Sequence, residues 1–146
     1  DACYSGVYME NFNADTSLHP SRFVSLSDPL RSCKMSSKYL DECYMLAPIY
    51  FLNQRKDDFA GALRWCDTTP IIYQQKCFEG VGSQTARRYF TKPKEVEKIC
   101  MSQGKQKTAS CIHGMIKWYK EYDMTTKHAA KVCDVLEPAN RQACEM

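Results

Sequence analysis

Apolar residues recur along this chain at helical spacing, and prolines, glycines and small polar clusters cut them into short segments. Val7, Tyr8 and Phe12 suit one face of a short N-terminal helix. Residues 13–31 hold Pro20, Pro29 and several Ser and Asp, and read as a long surface loop. Within it, Ser27-Asp28-Pro29 predicts a capped helix start that runs to about Cys33. Ser36-Ser37 can cap a helix over Lys38–Ala47, which Pro48 should kink or break before Tyr50, Phe51 and Leu52 continue it. Asp57-Asp58 begin a helix carrying Phe59, Leu63 and Trp65 to Cys66. Thr69-Pro70 begin a longer one, with Ile71, Phe78, Val81, Ala86 and Tyr89 near helical spacing. Gly80 and Gly82 fall inside it at a cost of about 1 kcal/mol each relative to Ala, which predicts close approach of another backbone. Thr91-Lys92-Pro93 start a short helix to Cys100, and a longer helix spans Thr108 to Tyr122 with Cys111, Ile112, Met115, Ile116 and Tyr119 on one face. Thr125-Thr126 cap a short helix to Cys133, and Glu137-Pro138 start the last.

The cysteines impose a period on these elements. Cys33, Cys66, Cys100 and Cys133 are separated by 33, 34 and 33 residues, and Cys43, Cys77, Cys111 and Cys144 by 34, 34 and 33. A short helix ending in Cys, a tight loop and a longer helix with Cys in its early turns make one unit. The expectation is an all-α, disulfide-stapled α-solenoid of two-helix repeats of 33–34 residues. The chain 1–146 then reads as a single helical-repeat domain: a half repeat at 1–12, the long loop 13–31, and repeats around 27–56, 57–90, 91–122 and 123–146. Cys3 with Gly6 matches Cys77 with Gly80, so Cys3 stands as the second cysteine of a pair whose first member lies upstream. Opening at Asp1 in mid-repeat, the chain reads as a processed or excised piece.

Composition adds a compartment. Nine cysteines at regular spacing, none closer than ten positions to the next, suit a disulfide framework from an oxidising, extracytoplasmic setting: periplasm, cell surface or secreted. Zinc sites bring ligands together as Cys-x-x-Cys with nearby histidines, and the three histidines here stand apart. Net charge is +3 with both signs interspersed, which implies no nucleic-acid partner, and no apolar run reaches the length of a membrane span.

Cys66/Cys77/Gly80, Cys100/Cys111/Gly114 and Cys133/Cys144 carry a resemblance over residues 33–146. The pattern resembles the cysteine-rich secreted members of the tetratricopeptide and Sel1-like superfamily. Separately, Gly6-Val7-Tyr8-Met9-Glu10-Asn11 with His19-Pro20 is similar to exported bacterial proteins of unknown role, which implies an exported bacterial origin and no activity.

Two disulfide registers fit the repeat. One closes the short gaps, Cys33–Cys43, Cys66–Cys77, Cys100–Cys111 and Cys133–Cys144, and leaves Cys3 unpaired or intermolecular. The other closes the long gaps, Cys3–Cys33, Cys43–Cys66, Cys77–Cys100 and Cys111–Cys133, and leaves Cys144 free. The second suits antiparallel helices around a turn, whereas the family resemblance implies the first.

Little in the sequence points to catalysis, and the expectation is a chain that is no enzyme and carries no cofactor or metal. His113 follows Cys111 by two residues, a spacing that does not face two side chains together on a helix. Asp57-Asp58, Glu95/Glu97 and Glu121/Asp123 fall at helix starts or loops, where capping and solvation explain them. Nine tyrosines are either packing or the lining of a concave face, and Tyr73, Tyr89, Tyr119 and Tyr122 are the candidate binding surface. The expected function is binding of a protein or peptide, with self-assembly into a fibre or surface layer as the alternative and an enzyme of unknown class behind both.

Overall fold

The computed structural model describes residues 2–13, 21–25, 27–102, 104–122 and 129–144, and every regular element among them is helical. In chain order these are α1 (Ala2–Asn13), α2 (Arg31–Met35), α3 (Leu40–Leu46), α4 (Pro48–Gln54) and α5 (Phe59–Cys66). There follow α6 (Ile71–Arg88), α7 (Pro93–Met101), α8 (Lys105–Tyr122), α9 (Ala129–Val135), α10 (Pro138–Arg141) and a 3-10 turn (Gln142–Cys144). The caps expected at Thr125-Thr126 lie outside the described residues.

Helix boundaries follow local chemistry, with some corrections to the sequence reading. Asp58 caps α5, accepting from the Gly61 N–H at 2.8 Å, while Asp57 takes a left-handed conformation with φ 63° and pairs with Arg88. Pro48 sits in the first turn of α4 and separates it from α3 at Ala47. Ser36 does not cap α3: its hydroxyl is engaged by Lys38, Tyr39 is left-handed at φ 55°, and the helix begins at Leu40. Nor does Thr69 cap α6, because its hydroxyl turns back to donate to the Cys66 carbonyl and Pro70 stands at the N-cap. α8 begins at Lys105 rather than Thr108, since Gly104 at φ 94° makes the turn and Thr108 donates to the Gly104 and Cys100 carbonyls from inside the helix. α2 begins at Arg31, as Ser25 and Asp28 form a turn ahead of Pro29.

Four cysteine pairs lie at disulfide distance: Cys33 with Cys43, Cys66 with Cys77, Cys100 with Cys111 and Cys133 with Cys144, their Cα atoms 5.6, 5.6, 5.5 and 6.2 Å apart. The first three tie a short helix to the helix that follows, and the fourth ties α9 to the 3-10 turn beyond α10. The resulting hairpins meet in a recurring way. The residue after Cys3, Cys43 or Cys77 lies against the residue four before the second cysteine of the next hairpin. Tyr4 lies tilted against Tyr39 and Tyr44 stacks on Tyr73, both with ring centroids 4.5 Å apart, and Lys107 lies over the Phe78 ring at 5.6 Å. Ile112 and Asn140 line the same cavity at the last such junction.

Close backbone approach is concentrated at the glycines. A side chain on Gly80 would overlap the Met45 carbonyl, one on Gly82 the Cys111 carbonyl, and one on Gly114 the Glu79 carbonyl. α6 therefore packs tightly on both α3 and α8, and it also touches α4, α5 and α7. One hydrophobic core runs from Leu52 through Leu63, Val81 and Ile112 to Leu136; a second gathers Tyr8, Phe12, Leu46, Ile49 and Tyr50 under α1. Trp65 packs against both and joins them.

Candidate functional site

The long helices leave a groove of about 370 Å³ across several hairpins. Met9 of α1, Met45 and Leu46 of α3 and Ile49 of α4 form its apolar wall. Trp118 and Tyr122 of α8 form the facing wall, their rings stacked at 6.1 Å. Ser83 and Gln84 of α6 with Gly114 of α8 make the floor, and Arg87, Lys117 and Glu121 stand at its polar edge. The glycine contacts are what bring α6 and α8 close enough to share this floor. Gln84 is nearly buried; its Oε1 accepts from Arg88 at 3.2 Å, and its amide nitrogen has no partner among the described residues. Arg87 is exposed and has no ion pair among the described residues, whereas Lys117 lies 3.8 Å from Glu121.

Glu79 also reaches the groove and is almost fully buried. Its carboxylate accepts from Lys76 at 2.9 Å and Gln75 at 3.2 Å, and Nδ1 of His113 stands 3.4 Å from Oε1. This arrangement satisfies a buried charge with a cation and hydrogen bonds. A carboxylate holding an imidazole is also an acid–base element, but Cys111 beside it is bonded to Cys100 and offers no thiol. Neither Glu79 nor its contact with His113 was visible in the sequence, where nothing separates Glu79 from a solvated helix glutamate.

Glu97 is the second buried carboxylate, and its placement corrects the expectation of a solvated helix-start residue. It accepts from the Glu137 N–H and the Asn140 side chain, both at 2.7 Å, and from Lys94 at 3.2 Å. One carboxylate thus anchors the start of α10 to α7. Lys94 also reaches Glu137 at 2.9 Å; these hydrogen bonds and charges, Glu137 first, hold its ammonium above the usual lysine value. A larger cavity of about 810 Å³ lies between the first half of α8 (Lys105, Thr108, Ile112) and the segment from Glu137 to Ala143.

The four candidate tyrosines do not share one surface. Tyr119 is fully buried and donates to the Phe90 carbonyl at 2.6 Å, so it is core rather than lining. Tyr73 is half-buried against Tyr44, and Tyr89 meets Phe59 edge-on. Tyr122 alone reaches the groove. Besides Tyr122, the groove takes Met9, Trp118 and Arg87, which the tyrosine reading did not name. Burial raises the Tyr44 hydroxyl above the usual tyrosine value, helped by neighbouring Tyr73 and opposed by Lys34. Cys3 is an exposed free thiol among the described residues. His19, Asp123 and His128 lie outside the described residues.

Among the described residues no cluster of three or more His, Cys, Asp or Glu could hold a metal ion. No helix among them is long and apolar enough to cross a membrane. No family model, curated protein or solved structure matches the chain.

Proposed function

We propose that this chain is an extracytoplasmic, disulfide-stapled helical-repeat module that binds a protein or peptide partner. The observation that carries the reading is the groove walled by Met9 and Ile49 on one side and Trp118 and Tyr122 on the other. Aromatic rings and methionines bury area with little ordering cost and adapt to a partner, which makes such a wall suited to recognition. The α-solenoid reading draws support from the spacing of the four disulfides and the recurring contacts of Tyr4, Tyr44 and Phe78 with the next hairpin. The four cysteine pairs support an oxidising compartment. A groove-filling Ser83→Trp variant, compared with the parent chain in pull-downs from secreted or periplasmic extract, tests the reading. Partners captured by the parent and lost by the variant are expected; capture that the variant leaves unchanged overturns it.

A second reading, self-assembly, is favoured by α1, where the unpaired Cys3 stands with exposed Val7 and Met9 and an open surface at Gly6. Light scattering with and without reductant separates the two. A strict monomer at high concentration sinks the assembly reading.

A further inference from the structure

We propose that the groove recognises a peptide segment presenting a carboxylate beside a large apolar side chain. The inference rests on the binding-module reading and names the chemistry of its occupant. The groove's volume, about 370 Å³, suits one or two side chains rather than a whole helix. Trp118 stacked on Tyr122, facing Met9 and Ile49, supplies the apolar socket. The charge at its edge is cationic in effect. Lys117 and Glu121 pair at 3.8 Å and offset each other, whereas Arg87 has no counter-ion among the described residues and leaves a net positive charge. The acid in the floor, Glu79, is already held by Lys76, Gln75 and His113 and adds no free negative charge. Gln84 also lines the groove, and its amide nitrogen, without a partner among the described residues, can donate to a backbone carbonyl. Arginine's planar fork favours a carboxylate there over a neutral amide.

The experiment is selection from a displayed library of random peptides on the oxidised chain, repeated on Arg87→Gln and Ser83→Trp variants. Melting curves and disulfide mapping verify that each variant folds. Enriched peptides are expected to place Asp or Glu next to Leu, Phe or Trp. Synthetic copies should lose about tenfold in affinity against Arg87→Gln or when their acid is replaced by its amide. They should also bind more weakly as salt rises. Enrichment blocked by Ser83→Trp but without acid preference, or indifferent to Arg87→Gln, overturns this inference and leaves the binding-module reading standing. Absence of any enrichment, or enrichment indifferent to Ser83→Trp, overturns both. Arg87 lies on the exposed surface, so its variant keeps the test valid if Ser83→Trp fails to fold.

Discussion

Gly114 has no room for a β-carbon, while Gly6, at the matching place after Cys3, has nothing within 4 Å. The two positions are alike in sequence and opposite in packing. Gly114→Ala should cost about 1–3 kcal/mol by forcing α8 off the Glu79 carbonyl. Gly6→Ala should cost nothing and gain up to about 1 kcal/mol of helix propensity. Chemical denaturation of the two variants reads the difference. Glu97→Ala leaves the Glu137 N–H and the Asn140 amide without their acceptor. A loss of about 2–3 kcal/mol is expected, concentrated in faster amide exchange over residues 129–144. Tyr44 sets an alkaline limit. Its folded value lies above that of a free tyrosine, about 10, so the neutral ring contributes its stability fully below that pH. The contribution is lost as pH rises through the folded value. Tyr44→Phe should flatten that part of the stability–pH curve, measured by melting at successive alkaline pH values.

At the scale of elements, each disulfide closes a short loop between two helices that bury little surface alone. Replacing Cys66 and Cys77 together by Ser should cost about 2–4 kcal/mol, chiefly by freeing the unfolded chain. The helices themselves were largely legible, because apolar spacing and prolines mark them: α4 starts at Pro48, α7 at Pro93 and α10 at Pro138, as their sequences suggest. Their caps were less so. Thr69, Ser36 and Thr108 are all good capping residues by type, yet each turns its hydroxyl to another nearby backbone group. Competing acceptors a few residues away decide such cases, and the one-letter pattern does not show which wins.

For the molecule as a whole, α1 carries the free thiol among the described residues. Cys3 is exposed on a helix whose tyrosine already serves the next hairpin through Tyr39. Thiol labelling of the unreduced protein should modify one cysteine, and mapping should place the label at Cys3. Label at Cys144 instead would mean that the long-gap pairing operates in solution. The groove belongs to this scale too. It draws on five helices from Met9 to Tyr122, and no stretch of sequence carries more than a part of it.

The sequence by itself determined the helical class, the cysteine period and the need for close backbone contact at Gly80 and Gly82, since these follow from spacing and from the cost of glycine in a helix. It left two disulfide pairings open, because both span a turn between helices. Only the tertiary structure brings particular sulfurs to bonding distance, buries Glu79 and Glu97, sends Tyr119 to the core and Tyr122 to the groove. Those outcomes depend on which faces of distant helices meet, and that is decided by packing rather than by any local run of residues.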